Sequence, residues 1–214
     1  MSKTSKHMGL TALAVLLAGC AAAPTQQQVD EATQRVMKSS FREQGIAKLS
    51  WLDQDASNKA CSESEGKDLP AAQAKAIEAA NLKTVKMPSD GKFIGDWAEG
   101  EKIAQNGRGM TWTDAPGSAN GGSCYNCHQI GKAEISYGTI GPSLYNYGKN
   151  RGVTDVTAPT AQPIVEYTWM KIWNGKTFNA CSNMPRFGHM GLLDEKQIAN
   201  VMALLLDPKS PVNQ

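Results

Sequence analysis

The residues best equipped for chemistry are two thiols and an imidazole in the stretch Cys124-Tyr125-Asn126-Cys127-His128. Thiols three positions apart followed by an imidazole can help hold zinc, cycle as a redox dithiol, or anchor a haem. With 5 Cys and 3 His in the chain, chance would produce this pattern only about 0.002 times. A zinc site needs four ligands, usually from a second paired cluster. Here Cys61 and Cys181 stand alone, and His189 is the only other histidine beyond the N-terminal segment. A redox dithiol leaves His128 without a role, and no βαβ pattern surrounds it. Covalent haem attachment uses every residue: Cys124 and Cys127 add to two vinyl groups, and His128 is set against one face of the iron.

Helices must position these groups. "GDWAEGEKIAQNG" predicts a helix with Asp96 as N-cap and Gly107 as its stop. A Gly- and Ser-rich loop leads from Gly107 to Ser123. "QPIVEYTWMKIWNG" predicts a helix with Val165, Trp169, Ile172 and Trp173 on one side. "LDEKQIANVMALLLDP" predicts the last, with Asp194 and Gln197 as a capping box and Pro208 as its stop. Upstream the chain is polar and rich in Ala and Gln. Val29, Ala32, Val36, Met37 and Phe41 recur at helical spacing, so 26–44 reads as an amphipathic helix closed by Gly45. "LPAAQAKAIEAANLK" reads as a helix entered through Pro70. "MPSDG", Met87 to Gly91, reads as a turn-rich joint. No internal repeat and no strand pattern stands out. The expected organisation is all-α: a leader over 1–19, an N-terminal helical extension over 20–90, and a compact haem-binding domain with long loops over 91–214.

The leader sets the compartment. Lys3 and Lys6 precede an apolar run from Gly9 to Gly19, too short for a spanning helix but the length of a secretory h-region. It ends in Leu17-Ala18-Gly19-Cys20, which resembles a bacterial lipobox. That resemblance implies an acylated Cys20 as first mature residue and a periplasmic protein tethered to a membrane. Stable tethering takes more than one acyl chain. The charge balance is 22 Lys+Arg against 20 Asp+Glu, and without Lys3 and Lys6 it is neutral. A basic nucleic-acid footprint is absent, so no nucleic-acid partner is expected.

Beyond the motif, the chain resembles monohaem cytochromes c. "GDWAEGEKIA" is similar to their first helix, with Gly100 where the last helix approaches closely and Ala104 in place of the family's aromatic. "IGPSL" is similar to their loop after the haem motif, which implies that the Pro142 carbonyl accepts from the His128 ring. That bond would fix the ring and raise the basicity of its ligating nitrogen. "YGKNRG" resembles the family's Gly-Arg stretch with two residues inserted, implying Arg151 as a propionate partner. "NMPRFG" is similar to the methionine loop, implying Met184 as the second axial ligand, with His189 as the rival. Met170 and Met202 sit at helical spacing and read as core. His/Met ligation implies a high potential.

"SCYNCH", "GTIGPSLYNYG", "NACSNMPRFG" and "LLDEKQIANVMALLLDPKSPVN" together resemble the SoxX family over residues 90–213. SoxX is the small cytochrome subunit of the SoxAX complex of bacterial thiosulfate oxidation. The resemblance implies one haem c, accepting electrons as thiosulfate is conjugated to a cysteine of the carrier SoxYZ and passing them to a downstream cytochrome. The implied partner is a SoxA-like subunit bearing the catalytic haem. The two together form an L-cysteine S-thiosulfotransferase, with no activity expected from this chain alone and no catalytic residue assigned on it. A stand-alone periplasmic electron carrier is the alternative, and a haem sensor with an open axial site is a third class. With Cys20 given to lipid and Cys124 and Cys127 to haem, Cys61 and Cys181 remain in an oxidising compartment, which favours a bridge over two unpaired thiols.

Overall fold

The computed structural model describes residues 23–214. The leader, with its expected lipid site at Cys20, lies outside the described residues. These fold as helices and loops with no strand; their one isolated bridge pairs Gln44 with Ala47. The α-helices are α1 (Gln26–Ser40), α2 (Ala56–Glu63), α3 (Ala71–Leu82), α4 (Trp97–Gln105), α5 (Gln162–Trp173) and α6 (Glu195–Leu206). The protein is all-α. No described helix is long and apolar enough to cross a membrane.

The chain divides into two units, Met1–Arg42 and Glu43–Gln214. The first contains α1, opened by a capping box between Thr25 and Gln28. This helix stops at Ser40 instead of running to residue 44, because Phe41 is extended. Gly45 serves a tight turn, where its φ of +54° lets Gln44 and Ala47 exchange backbone hydrogen bonds of 3.3 and 3.0 Å.

The second unit begins at Glu43, so the boundary expected at residue 90 does not separate two bodies. Residues 43–90 are fastened to the rest of that unit by bonds at many points. Trp169 Nε1 donates to the Lys86 carbonyl (2.8 Å) and Trp173 Nε1 to the Thr84 carbonyl (3.1 Å). The fully buried Asn174 donates from Nδ2 to Asn81 Oδ1 and to Thr84 Oγ1, both at 3.0 Å. Ser89 donates from its amide and hydroxyl to Glu195. The bonds from Trp169, Trp173 and Asn174 satisfy buried polar groups that would otherwise be penalised, whereas the Ser89–Glu195 bonds lie at the surface.

The core lies between α5 and α6. Trp169, Ile198, Met202, Leu204 and Leu206 have no exposed surface, whereas Met170 is only half-buried. Trp169 stacks on Trp173 and receives the edge of Phe93. α4 and the residues leading into it approach α6 at two glycines. A Cβ on Gly100 would lie 2.1 Å from the Asn200 carbonyl oxygen, and Gly95 donates its amide to the Ala199 carbonyl at 2.9 Å. Ala104 is wholly buried in this contact region, where a small side chain suits the close crossing. The α6 capping box closes as the sequence pattern indicated.

The terminal segment finishes the helix end that it follows. Ser210 Oγ donates to the Leu204 carbonyl (2.6 Å), and Asn213 Nδ2 to those of Leu205 (3.1 Å) and Asp207 (3.0 Å). These are the carbonyls a helix leaves without an internal partner. Asn213 Oδ1 then accepts from the amides of Gly148 and Lys149. The closing "DPKSPVN" thus caps α6 and fixes the Tyr147 region at once.

Candidate haem site

The thiol motif is mounted on the end of α4. Gly122 donates to the Ile103 carbonyl (2.8 Å) and Ser123 to the Asn106 carbonyl (3.0 Å). Ser123 is in the left-handed region (φ 51°) and turns the chain into a 3₁₀ turn over Cys124–Asn126. Tyr125 is buried; its hydroxyl donates to Glu101 Oε1 at 2.9 Å and accepts from the Gly131 amide at 3.0 Å. Burial, then the Glu101 carboxylate, pushes that phenol above the ordinary tyrosine range. It stays neutral and acts as a strut between α4 and the loop that follows the motif.

That loop folds back over the motif. Gly138 donates to the Tyr125 carbonyl (2.8 Å), Gly141 to the Cys127 carbonyl (2.8 Å) and Leu144 to the Gln129 carbonyl (2.7 Å). Pro142 is brought to the His128 ring, with 2.7 Å between its carbonyl oxygen and Nδ1. A carbonyl can only accept, so Nδ1 carries the proton, and in the neutral ring Nε2 is the nitrogen that can ligate. A Cβ on Gly141 would lie 2.1 Å from His128 Cε1, so only glycine lets the backbone pass under the ring.

Cys124 and Cys127 are both free thiols. Burial pushes the Cys124 thiol up to about 12, the reverse of the depressed value that an attacking redox thiol needs. Among the described residues no three His, Cys, Asp or Glu side chains gather as a metal-ion site, so a zinc centre lacks its ligand set. Two free thiols, an imidazole whose Nδ1 is bonded to a carbonyl, and a backbone cleared by Gly141 fit a covalently held haem.

Met184 follows α5 on a loop. It is half-buried against the core, and its amide donates to Ser182 Oγ at 3.3 Å. Gly188 allows Trp173 to sit against this loop, since a Cβ there would lie 2.3 Å from the indole ring. His189 donates its amide to the Trp173 carbonyl, and burial followed by the nearby Arg186 charge lowers its pKa. Arg151 is exposed, lies 3.6 Å over the Tyr147 ring and donates to the Tyr147 carbonyl (3.2 Å). Tyr147 in turn shares a 3.0 Å hydrogen bond with Thr168.

Cys61 and Cys181 form a disulfide that joins α2 to the start of the Met184 loop. Sequence reasoning missed the charges beside it. Arg186, buried, pairs with Asp55 Oδ2 at 2.6 Å, and Asp55 is also the N-cap of α2. Lys176, also buried, donates from Nζ to the Ala180 carbonyl at 2.9 Å. A capping Asp55 before Asn58 was readable locally. Its pairing with a residue 131 positions away was not.

An all-α domain with a thiol-thiol-imidazole motif and a glycine-cleared proximal loop defines a haem-binding electron carrier. The cytochrome c family model matches residues 98–208, more than half of the chain. The chain belongs to the cytochrome c family, which makes it an electron-transfer protein with covalent haem c. It is also 37% identical over 132 residues to a protein of Aquifex aeolicus (strain VF5) named "Uncharacterized lipoprotein". That match covers 61% of this chain and 59% of the relative, so the chain spans less than two thirds of the length of the relative it matches.

Proposed function

We propose that this protein is the monohaem electron-accepting subunit of a thiosulfate-conjugating SoxAX-type complex, exported and tethered through an acylated Cys20. The reading is carried by four SoxX-like segments. Two local contacts support it: the Pro142 carbonyl lies 2.7 Å from His128 Nδ1, and the 193–213 segment caps α6 and binds Gly148 and Lys149. The relative's name, a lipoprotein, agrees with the expected anchor.

Haem c supplies one-electron transfer when bound. Cys124 and Cys127 would hold it through thioethers, and His128 Nε2 and Met184 Sδ would be the axial ligands. The Pro142 carbonyl accepts from Nδ1, which leaves Nε2 as the ligating nitrogen. Pro185 biases Met184 toward extended backbone, and the Ser182 hydroxyl fixes its amide, so the thioether is presented from a restrained loop. A thioether favours the ferrous state, which suits accepting electrons from a substrate oxidation. Arg151, held over Tyr147, would neutralise a propionate.

The test is the native mass and haem count of the complex isolated from its own cells. A heterodimer with a second, catalytic cytochrome is expected. Thiosulfate-dependent conjugation to a SoxYZ-type carrier cysteine should require both subunits. Elution as a lone monohaem chain that adds no activity to any such partner would leave a free-standing electron carrier instead.

A further inference from the structure

The geometry points to a binding site for a small tetrahedral oxyanion in the cavity beside the Met184 loop. The cavity has a volume of about 450 Å³, and its walls include Lys176, Arg186, Asn58, Ser182 and Met184. Both cations are more than nine-tenths buried, yet the carboxylate paired with them is Asp55 alone. Asp55 Oδ2 is committed to Arg186 at 2.6 Å, and its Oδ1 accepts the Asn58 amide at 2.8 Å. Lys176 therefore carries a buried charge with no carboxylate of its own. Its Nζ has one oxygen acceptor, the Ala180 carbonyl at 2.9 Å, and a long contact to Cys61 Sγ at 3.9 Å.

Such a charge is unfavourable unless something of opposite sign shares the space. Burial, followed by repulsion from Arg186, lowers the Lys176 pKa, and the attraction of Asp55 opposes this. An anion entering the cavity would reverse that balance. Donors of the right kind are in place. Ser182 Oγ accepts from the Met184 amide, which leaves its O–H free to donate. The Asn58 side-chain amide makes no hydrogen bond among the described residues, and it lines the same cavity. An ammonium, a hydroxyl and an amide around a net positive wall suit sulfate, thiosulfate or phosphate, and give a neutral or cationic ligand no comparable partner.

Isothermal calorimetry on the reduced full-length holoprotein tests this, with sodium sulfate, thiosulfate and phosphate as probes at ionic strength fixed with sodium chloride. Saturable binding of one anion per chain is expected, weakened ten-fold or more by Lys176→Gln and kept within about three-fold by Lys176→Arg. The exposed Lys196→Gln should bind as the wild type does. Equal affinities would define a general oxyanion site, and a preference for thiosulfate would make it a substrate-class site; either supports the assignment. Absence of saturation up to about 10 mM, or unchanged affinity in Lys176→Gln, overturns it. Should Lys176→Gln fail to fold, Asn58→Ala decides: weakened binding supports the site, and wild-type binding sinks it. Sulfate and phosphate affinity does not depend on any sulfur-oxidising partner, so this test can fail while the proposed function stands, and the reverse.

Discussion

The two loops expected to supply the axial ligands are held by different means. The His128 side is local. Residues 121–144 bind one another and the end of α4 through backbone amides, and glycines at 138 and 141 give the clearance. The Met184 side is supported from a distance. Its loop is held by a disulfide to Cys61, an ion pair to Asp55 and an indole whose nitrogen bonds to residue 84. The histidine is thus fixed by geometry that a short stretch of chain can encode. The methionine is fixed by a segment that folds onto it from more than a hundred residues away.

This contrast is open to test. Gly141→Ala should have the largest effect, because the added Cβ meets the His128 ring at 2.1 Å. Nearly all mature holoprotein should be lost, read as covalent haem by pyridine haemochrome; normal haem loading would show that the proximal loop is not rigid. Next comes Cys61→Ser, which opens a bridge between residues 120 positions apart. The chain-entropy model puts the loss at up to about 5 kcal/mol, measured by denaturant unfolding. The His128 side should keep covalent haem while the absorption band of the methionine-ligated ferric state weakens. Equal damage to both sides would contradict the comparison.

Asp55→Asn is expected to cost about 2 kcal/mol, since it leaves the Arg186 guanidinium buried without its carboxylate, tempered by the partial exposure of Asp55. It should also change the acid response. Burial raises the Asp55 pKa, but the Asn58 amide and Arg186 more than offset this, and it lies below the ordinary 3.8. A depressed carboxylate contributes stability that is complete above the unfolded value of 3.8 and disappears as pH falls through the folded one. The wild type should therefore lose this part of its stability only below about pH 4, whereas Asp55→Asn shows no such loss. Parallel acid-unfolding curves for the two proteins would remove the pair from the account. The smallest effect is expected from Glu101→Gln. It keeps a hydrogen-bond acceptor for Tyr125 and should cost below about 1 kcal/mol by thermal unfolding.

Legibility in the sequence followed the same division. The helices at 97–105, 162–173 and 195–206 were visible because each carries its own periodicity and, for two of them, its own cap. α2 was not: its eight residues are too short and too polar to show a period, and the structure places it through Cys61 and Asp55. Gly45 signalled a stop in the sequence, yet it serves a two-residue turn, because a glycine marks a backbone conformation and not the element it ends. The joint at Met87–Gly91 looked like a domain boundary since turn residues cluster there. A turn that stays packed, here with Ser89 on Glu195, has the same composition as a linker.

The sequence by itself determined the all-α class, the thiol-thiol-imidazole motif and most of the helix ends, because caps, helical periods and ligand spacing are short-range properties of the chain. Only the tertiary structure decided that residues 43–90 belong to the same body as the haem-binding region. It alone placed Asp55 against Arg186 and left Lys176 buried beside Met184 without a carboxylate. Burial and charge pairing depend on which distant segments meet, and no local pattern records that.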